Sequence, residues 1–227
     1  MPARTACVAR TMSTLGIIGA GNIGSNVAKA AIAAGHDVVI ANSRGPETLG
    51  DLIVELGQEH ARAATIDEAA AAGDIVLVAI PLSAIETLPQ APLVGKIVLD
   101  ANNYYPGRDG RIAALDTNMS TTSGLLQKHL PESHVVKAFN HINAKDIPRD
   151  ATPFGTPTRR ALAIFGQDGQ AKEVAAAFLD DLGYDAVDLG TLDESWRLER
   201  DTPGYGKPMT AAELREISAN TERVQQQ

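Results

Sequence analysis

The sequence predicts an α/β fold in which helices cover both faces of a doubly wound parallel sheet. Three observations support this fold class. A glycine-rich turn at residues 19–24 directly joins an apolar run to an alanine-rich helix pattern. Strand and helix patterns then alternate repeatedly as far as about Ile142. Some strand patterns, such as residues 38–41, are unbroken apolar runs rich in β-branched residues, which is typical of strands that are buried on both faces.

The first strand is expected at residues 15–18, and a Gly-x-Gly-x-x-Gly motif follows it at once. Gly19 allows a sharp turn, Gly21 lets backbone N–H groups approach a diphosphate, and Gly24 lets the helix of residues 25–34 lie close to the strand. A diphosphate would bind at the N-terminus of this helix, where unpaired N–H groups and the helix dipole favour an anion. Because a strand and a helix flank the glycines, we interpret the motif as a dinucleotide site rather than a structural turn.

The following elements are recognised by their end signals. Pro46 opens a second helix that ends at Gly57, since proline is favoured in the first turn of a helix and glycine just after the last. Asp74 precedes the strand expected at residues 75–80, and Pro81 ends it. The remaining elements up to Ile142 are expected as strands at residues 63–65, 95–101 and 135–139 and as helices at 67–72, 83–88 and 123–129, with residues 102–110 irregular.

The last third of the chain contains one further strand–helix–strand pattern after a connection at residues 143–158. We expect its strands at 161–165 and 184–189 and its helix at 170–182, on the same sheet, followed by peripheral helices at 196–200 and 209–217. We therefore expect three parts: an N-terminal arm at 1–14, a dinucleotide-binding Rossmann domain at 15–192 and a peripheral C-terminal segment at 193–227. The arm is expected to be disordered, or else Met12 is the natural start.

Composition excludes several classes of protein. The formal net charge of −8 argues against a general nucleic-acid or anionic-membrane surface, although it allows a local basic pocket. A single cysteine, Cys7, rules out an internal disulfide framework and a multi-cysteine zinc site and is typical of a reducing, cytoplasmic location. No apolar run approaches the roughly 20 residues of a membrane span. We therefore expect a cytoplasmic protein with no nucleic-acid or membrane partner.

The residues after the second strand indicate which dinucleotide is bound. An NAD-binding unit carries a carboxylate there for the adenine ribose, whereas this chain has Asn42, Ser43 and Arg44. Ser43 has a hydroxyl donor, and the Arg44 guanidinium can pair with a phosphate and stack on adenine. We therefore predict that the cofactor is NADP(H). The alternative is that Arg44 is an ordinary cation on a loop.

Further site residues are expected just beyond the carboxyl ends of the later strands, because ligands of open parallel sheets bind at that edge. Ile80 and Pro81 would form an apolar wall beside the nicotinamide. Asn102 and Asn140 would orient its ribose or carboxamide, or they would only cap Asx-type turns.

His141 is the only histidine that follows a strand at this edge, so it is the candidate donor of a proton or hydrogen bond to the acceptor. The alternative is that it simply packs in a loop. The five histidines show neither metal-ligand spacing nor a Ser-His-Asp pattern, so no metal site is predicted.

Five segments together resemble a known family. They are Gly-Ala-Gly-Asn-Ile-Gly, Asn-Ser-Arg-Gly-Pro, Ala-Ile-Pro, Asp-Ala-Asn-Asn-Tyr-Tyr-Pro and Val-Val-Lys-Ala-Phe-Asn-His-Ile. In these the chain resembles the coenzyme F-420-dependent NADP oxidoreductases, and the cytoplasmic oxidoreductase domain of the epithelial-antigen metalloreductases is similar. The resemblance extends from about Leu15 to Leu198.

The resemblance implies hydride exchange between the nicotinamide C4 of NADP(H) and C5 of a deazaflavin (F-420), or a flavin in the metalloreductases. It implies NADP binding at positions that match Gly19, Asn22, Ile23, Ser43, Arg44, Ile80, Pro81 and Ala138. Such a transfer between two rings needs no nucleophile or metal from the protein.

Two other functions remain open. One is an NADPH-dependent reductase of a small carbonyl or imine substrate, and the other is a non-catalytic NADP-sensing module that acts through a partner. A sensor would keep the glycine turn and Arg44 but would need no open pocket beside the nicotinamide. The sequence leaves open the identity of the small-molecule redox acceptor, the direction of transfer and the oligomeric state, for which a homodimer is one expectation.

Overall fold

A computed structural model describes residues 13–224. The N-terminal arm, including Cys7 and Met12, lies outside the described residues except for its last two positions. The first strand begins at Thr14, so the ordered sheet starts one residue before the expected position.

An eight-stranded sheet forms the centre of the molecule, in the order β3-β2-β1-β4-β5-β6-β7-β8. Its strands are β1 (Thr14–Ile18), β2 (Asp37–Ala41), β3 (Ala61–Ala63), β4 (Ile75–Val78), β5 (Ile97–Asp100), β6 (His134–Lys137), β7 (Ala161–Gly166) and β8 (Asp185–Asp188). Strands β1 to β6 are parallel. The chain builds outward from β1 through β2 to β3 and then returns to add β4 on the other side of β1, which confirms the doubly wound α/β fold.

The helices connect the strands over both faces of the sheet. They are α1 (Asn22–Ala33), α2 (Gly50–Leu56), α3 (Ile66–Ala72), α4 (Pro106–Asp109), α5 (Ala113–Asp116), α6 (Thr122–His129), α7 (Gly169–Asp181) and α8 (Ala211–Ala219). Shorter 3₁₀ helices occupy Pro46–Leu49, Leu82–Thr87, Ala91–Leu93, Ala144–Asp146 and Leu192–Leu198. The helix expected after Pro46 therefore begins as a 3₁₀ turn, and β3 lies two residues before its expected position.

Strands β7 and β8 are parallel to each other but run opposite to the rest of the sheet. Lys137 of β6 pairs with Phe165 of β7 in an antiparallel register. The expected strand–helix–strand unit is present and joins the sheet, but its direction was not predicted. Parallel neighbours are usually joined by a helical crossover, whereas the connection from β6 to β7 is long enough but contains only the 3₁₀ turn Ala144–Asp146.

The apolar core is divided by the sheet. Successive side chains along a strand lie in opposite halves of the core; on β1, Ile17 lies in one half and Ile18 in the other. Helices α1 and α7 pack on one face, while α6, α8 and Leu192–Leu198 pack on the other. In the C-terminal segment, Leu198 and Leu214 are fully buried in this second half. The division of the chain at residue 192 remains a prediction.

No helix between residues 13 and 224 combines the length and the apolar character that crossing a bilayer requires.

Candidate functional site

A cleft of about 900 Å³ lies at the carboxyl edge of strands β1, β4, β5 and β6. Each of these strands is followed by residues that line it, namely Gly21, Ile80, Asn102 and Asn140. The side chain of Tyr205, from the C-terminal segment, lines the end of the cleft. Because β1 and β4 are neighbours where the strand order reverses, the cleft lies where open α/β sheets bind ligands.

The three glycines after β1 serve different purposes. Gly19 has φ +114°, and a Cβ there would overlap the carbonyl oxygen of Ala79 in the loop after β4. A Cβ at Gly24 would overlap the carbonyl oxygen of Gly19, so this glycine lets α1 approach the turn. A Cβ at Gly21 would meet no atom within 4 Å, and Gly21 lines the cleft. The expected turn is therefore confirmed, and the open space at Gly21 is a cradle that a side chain would fill.

The N-terminus of α1 is open to an anion. Gly21 is its N-cap residue and supplies no capping side chain, and its first turn has no acidic residue. The amide groups of the first turn have no partner within the helix, so they can bind a ligand. Asn22 and Ile23 line the cleft at this point. The described residues therefore fit a diphosphate here.

The loop after β2 contains the residues expected to read the adenine ribose. Ser43 and Arg44 are exposed at its tip, outside the main cleft. Asn42 shapes the loop, since its Nδ2 donates to Thr48 Oγ1 (2.9 Å) and its Oδ1 accepts from the Arg44 N–H (2.9 Å).

One expectation about this loop needs correction. The loop was expected to offer no carboxylate, but the side chain of Glu47 folds back against Gly45, where a Cβ would overlap the carboxylate oxygens. Spacing alone did not reveal this approach, because Glu47 belongs to the following 3₁₀ turn.

Three asparagines join the loops around the middle of the cleft. Asn102 Oδ1 accepts from the Ile80 N–H (2.9 Å), and Asn103 Nδ2 donates to the Asn140 carbonyl (2.8 Å). Asn140 Nδ2 donates to the Leu198 carbonyl (2.9 Å). The other side-chain atoms, Asn102 Nδ2, Asn103 Oδ1 and Asn140 Oδ1, are buried without a partner among residues 13–224. Buried polar groups are nearly always hydrogen-bonded, so three such atoms in one cleft indicate a polar ligand.

A buried lysine supports this part of the cleft from below. Lys137 is fully buried, and its Nζ donates to the Asn102 carbonyl (2.5 Å), Thr122 Oγ1 (2.7 Å) and Asp100 Oδ2 (3.2 Å). Asp100 also accepts from the Asn102 N–H (2.9 Å) and from Ser123 Oγ (2.5 Å). The loop is thus held by hydrogen bonds to both the N–H and the carbonyl of Asn102. Sequence reasoning missed Lys137 because it stands within an apolar strand.

The residues after β6 divide between the cleft and the core. Ala138 is fully buried and does not line the cleft. Phe139 has φ +60°, a left-handed conformation that is costly for a bulky residue. This turn brings Asn140 to the cleft, where its hydrogen bonds hold it.

His141 does not reach the cleft. The residue is 1% exposed, and its Nε2 accepts a hydrogen bond from the Ala163 N–H at 3.0 Å. Burial, reinforced by the charge of Arg160, lowers the pKa of His141 to about 3, so the ring is neutral at physiological pH. A neutral ring in the core cannot donate a proton to a ligand in the cleft. This placement argues against the catalytic role expected for His141.

Two tyrosines and two arginines form the far end of the cleft, which we call the Tyr–Arg end (Tyr105, Arg108, Arg200 and Tyr205). The hydroxyl groups of Tyr105 and Tyr205 are 2.9 Å apart. The guanidinium carbons of Arg108 and Arg200 lie 4.7 and 5.1 Å from the centre of the Tyr105 ring. Burial is the largest cause that raises the pKa of Tyr205, so its hydroxyl stays protonated.

Sequence reasoning missed the Tyr–Arg end because its residues lie about a hundred positions apart. Residues 102–110 were expected to be irregular, yet α4 begins at Pro106 and places Arg108 at the cleft. The C-terminal segment was expected to be peripheral, yet it supplies Arg200 and Tyr205. Across residues 13–224, no group of three or more His, Cys, Asp or Glu side chains is arranged to hold a metal ion.

Comparison with known proteins gives a family and a set of relatives. Residues 14–104 match the family model described as NADP oxidoreductase, coenzyme F420-dependent. The metalloreductase STEAP3 of Rattus norvegicus is 27% identical over 190 residues, which cover 82% of this chain and 35% of that protein. The chain therefore spans about a third of the length of this relative.

Two solved structures are similar over most of their length. A hypothetical protein from Sinorhizobium meliloti is 30% identical, with a TM-score of 0.69 over 88% of this chain and 94% of that one. A putative F420-dependent NADP reductase from Arthrobacter sp. FB24 is 25% identical, with a TM-score of 0.65 over 80% of this chain and 86% of that one. Both therefore share most of the fold with this chain.

Proposed function

Since this chain belongs to the family of coenzyme F420-dependent NADP oxidoreductases, we propose that it is an NADP-dependent oxidoreductase. It would transfer hydride between NADP(H) and a deazaflavin (F-420) or flavin-type acceptor. One observation carries the proposal. A single cleft extends from the uncapped N-terminus of α1, past three buried and unpartnered asparagine atoms, to the Tyr–Arg end. Its volume of about 900 Å³ would accommodate a nicotinamide beside a second small molecule.

The residues of the glycine turn would bind the diphosphate. The N–H groups at Asn22 and Ile23 begin α1 beside the open space at Gly21. Ser43 and Arg44, at the tip of the neighbouring loop, would bind the 2′-phosphate through a hydroxyl and a guanidinium. Gly19 and Gly24 would act indirectly, because they pack the turn against its neighbours.

The asparagines would orient the nicotinamide end. Asn102 Nδ2 is a donor, while Asn103 Oδ1 and Asn140 Oδ1 are acceptors. A carboxamide needs both kinds of partner, and ribose hydroxyls do as well. Ile80 and Pro81 line the same part of the cleft and would exclude water from the ring. Asn42 and Ala138 would keep a structural role, through the loop after β2 and the core respectively.

When bound, NADPH supplies a hydride from its nicotinamide C4. The protein lowers the barrier by holding donor and acceptor rings in contact and by excluding water. This task needs rigid positions more than a reactive side chain. The hydrogen bond that Asn102 accepts and those that Asn103 and Asn140 donate join the loops that would hold the two rings.

A second candidate function is the reduction of a small carbonyl or imine. The hydroxyl pair of Tyr105 and Tyr205 favours it, because such a reaction needs a proton at the oxygen or nitrogen when the hydride reaches carbon. A non-catalytic sensor is less consistent with the cleft, since a sensor needs no open space beyond the nicotinamide.

The NADP assignment is tested by binding titrations of NADPH and NADH. Arg44→Ala should weaken NADPH binding about tenfold or more and change NADH binding little, because only NADPH has a 2′-phosphate. Arg62→Ala is a matched control, since Arg62 is an exposed arginine on the adjacent strand β3. Glu47→Gln measures how far the nearby carboxylate opposes the phosphate. An equal loss of both nucleotides in Arg44→Ala would refute the assignment.

The acceptor is tested by stopped-flow oxidation of bound NADPH. The deazaflavin coenzyme, free flavins and ferric chelates would be compared with small carbonyl and imine compounds. Faster oxidation by the deazaflavin or a flavin supports the proposal, and turnover by carbonyl or imine compounds alone favours the second candidate. If no compound is reduced, the sensor function is favoured.

A further inference from the structure

We propose that the Tyr–Arg end is a binding site for an anionic group of the acceptor, so that the enzyme selects flavin-type acceptors that carry a phosphate or a carboxylate. The inference rests on the proposed function and specifies its substrate class. The sequence had allowed a local basic pocket in an acidic protein.

The first argument is the charge of the cleft. The protein has a formal net charge of −8, yet the described residues that line the cleft include Arg108 and Arg200 and no aspartate or glutamate. The carboxylates that pair with these arginines, Asp109 at 2.7 Å and Asp201 at 2.9 Å, do not line it. A ligand in the cleft therefore meets the cationic side of both ion pairs.

The second argument is the donors that remain. Arg108 uses Nε and Nη2 for Asp109 and for the Asn103 carbonyl. Its Nη1 has no partner in the part of the chain that the structure describes, and this nitrogen carries two N–H donors. The Tyr105 and Tyr205 hydroxyls have two protons, and the hydrogen bond between them uses one. The Tyr–Arg end thus presents donors for a group that only accepts hydrogen bonds.

The third argument is the chemistry of the ligand that these donors prefer. A guanidinium binds carboxylate and phosphate oxygens with charge-assisted hydrogen bonds, which are about twice as strong as neutral ones. The same cleft contains unpartnered asparagine atoms that fit an amide or a ribose. These features together fit a redox ring near the asparagines and an ionised substituent at the Tyr–Arg end.

The test compares FMN with riboflavin, which share the isoalloxazine ring and differ in one phosphate. Both are titrated onto the protein in saturating NADP⁺, so that the anion sites of the nucleotide are filled and no turnover occurs. Flavin fluorescence reports the dissociation constant, and the same pair is compared as NADPH oxidants by kcat/KM. We expect FMN to bind about tenfold more tightly than riboflavin, with a preference that declines as salt is raised.

Three variants and one matched control locate the effect. Arg200→Gln and Arg108→Gln should each reduce the FMN preference severalfold, and Arg108→Gln suffices if the first fails to fold. Arg111→Gln removes the same charge from a nearby arginine that does not line the cleft, so it should keep the preference. Tyr205→Phe should leave riboflavin binding unchanged and weaken FMN binding.

The outcomes separate the two proposals. If FMN and riboflavin bind equally and both oxidise NADPH, the anion site is refuted and the proposed function stands. If the preference survives in both Arg200→Gln and Arg108→Gln, the phosphate binds elsewhere and the inference is wrong. If neither flavin binds or oxidises NADPH, and the deazaflavin also fails, the proposed function is refuted together with this inference.

Discussion

Replacing Lys137 with Met should be among the most damaging single changes in the protein. The ammonium group of Lys137 and the carboxylate of Asp100 are 3.2 Å apart, and both side chains are fully buried. Met has a similar length but no charge, so the substitution leaves a buried carboxylate without its cation. Breaking a buried ion pair in this way costs about 3–5 kcal/mol. The total stability of a domain is only about 5–15 kcal/mol.

The loss of unfolding free energy in Lys137→Met is measured by urea unfolding, with Lys29→Met as the control. Lys29 pairs with Glu55 at 2.7 Å, a shorter distance, but the side chains are 36% and 59% exposed. An exposed pair contributes about 0–1 kcal/mol, so burial rather than distance should decide the ranking. The double variant Asp100→Asn with Lys137→Met removes both charges and should recover much of the loss.

The same substitution should also weaken nucleotide binding, because Lys137 holds the carbonyl of Asn102. Calorimetric titration with NADPH on the folded variant would measure this effect. The reasoning fails if Lys137→Met loses less than about 1 kcal/mol, or no more than Lys29→Met does. It also fails if the double variant is no more stable than the single one.

Two further predictions concern the glycine turn and His141. Gly21→Ala should leave the unfolding free energy nearly unchanged and weaken NADPH binding, whereas Gly24→Ala should destabilise the fold, since its Cβ would overlap the Gly19 carbonyl. Thermal melts and NADPH titrations of both variants distinguish the two effects. Equal melting temperatures of the two variants would contradict this explanation. The pKa of His141 is about 3 in the folded protein and about 6.5 for an unperturbed histidine, so the unfolded chain takes up the proton first as pH falls. The contribution of neutral His141 to stability is therefore complete above pH 6.5 and is lost towards pH 3. His141→Gln, which keeps an acceptor for the Ala163 N–H, should flatten the decline of unfolding free energy in this range by up to about 1.4 kcal/mol per pH unit without slowing NADPH oxidation; an unchanged slope would show that His141 is not the group responsible.

The amino-terminal half could be predicted well because its signals are local. The roles predicted for Gly19 and Gly24 depend on a few neighbouring atoms, and a Cβ at either position would overlap a carbonyl oxygen. The space at Gly21 is open, while its contact with a diphosphate stays a prediction. The strands near them are apolar runs bounded by glycine or proline, so their order along the chain follows from the sequence. Asn102 and Asn140 were expected at the ligand edge for the same reason, since each follows a strand.

What was missed depends on contacts that no short pattern encodes. Tyr105 and Tyr205 come together only after the whole sheet has formed. An apolar strand does not reveal that one of its members, Lys137, is paired in the interior. His141 was expected at the cleft from its position after β6, but the turn at Phe139 directs it into the core. Strand direction is likewise not a property of the strand's own residues, so the reversal at β7 was not foreseen.

The reversal of β7 also determines where the end of the chain arrives. Because β8 runs with β7, it finishes at the rim opposite the ligand, and the segment Leu192–Leu198 then returns over the sheet. Seven residues of 3₁₀ helix cover about 14 Å, close to the length of a four-residue strand, so this return path ends beside Asn140. Had β8 run the other way, the same seven residues would have carried Arg200 and Tyr205 to the distant rim. That the tail supplies part of the cleft is thus a product of topology. If the proposed function holds, tail sequences grafted between relatives should carry acceptor preference with them.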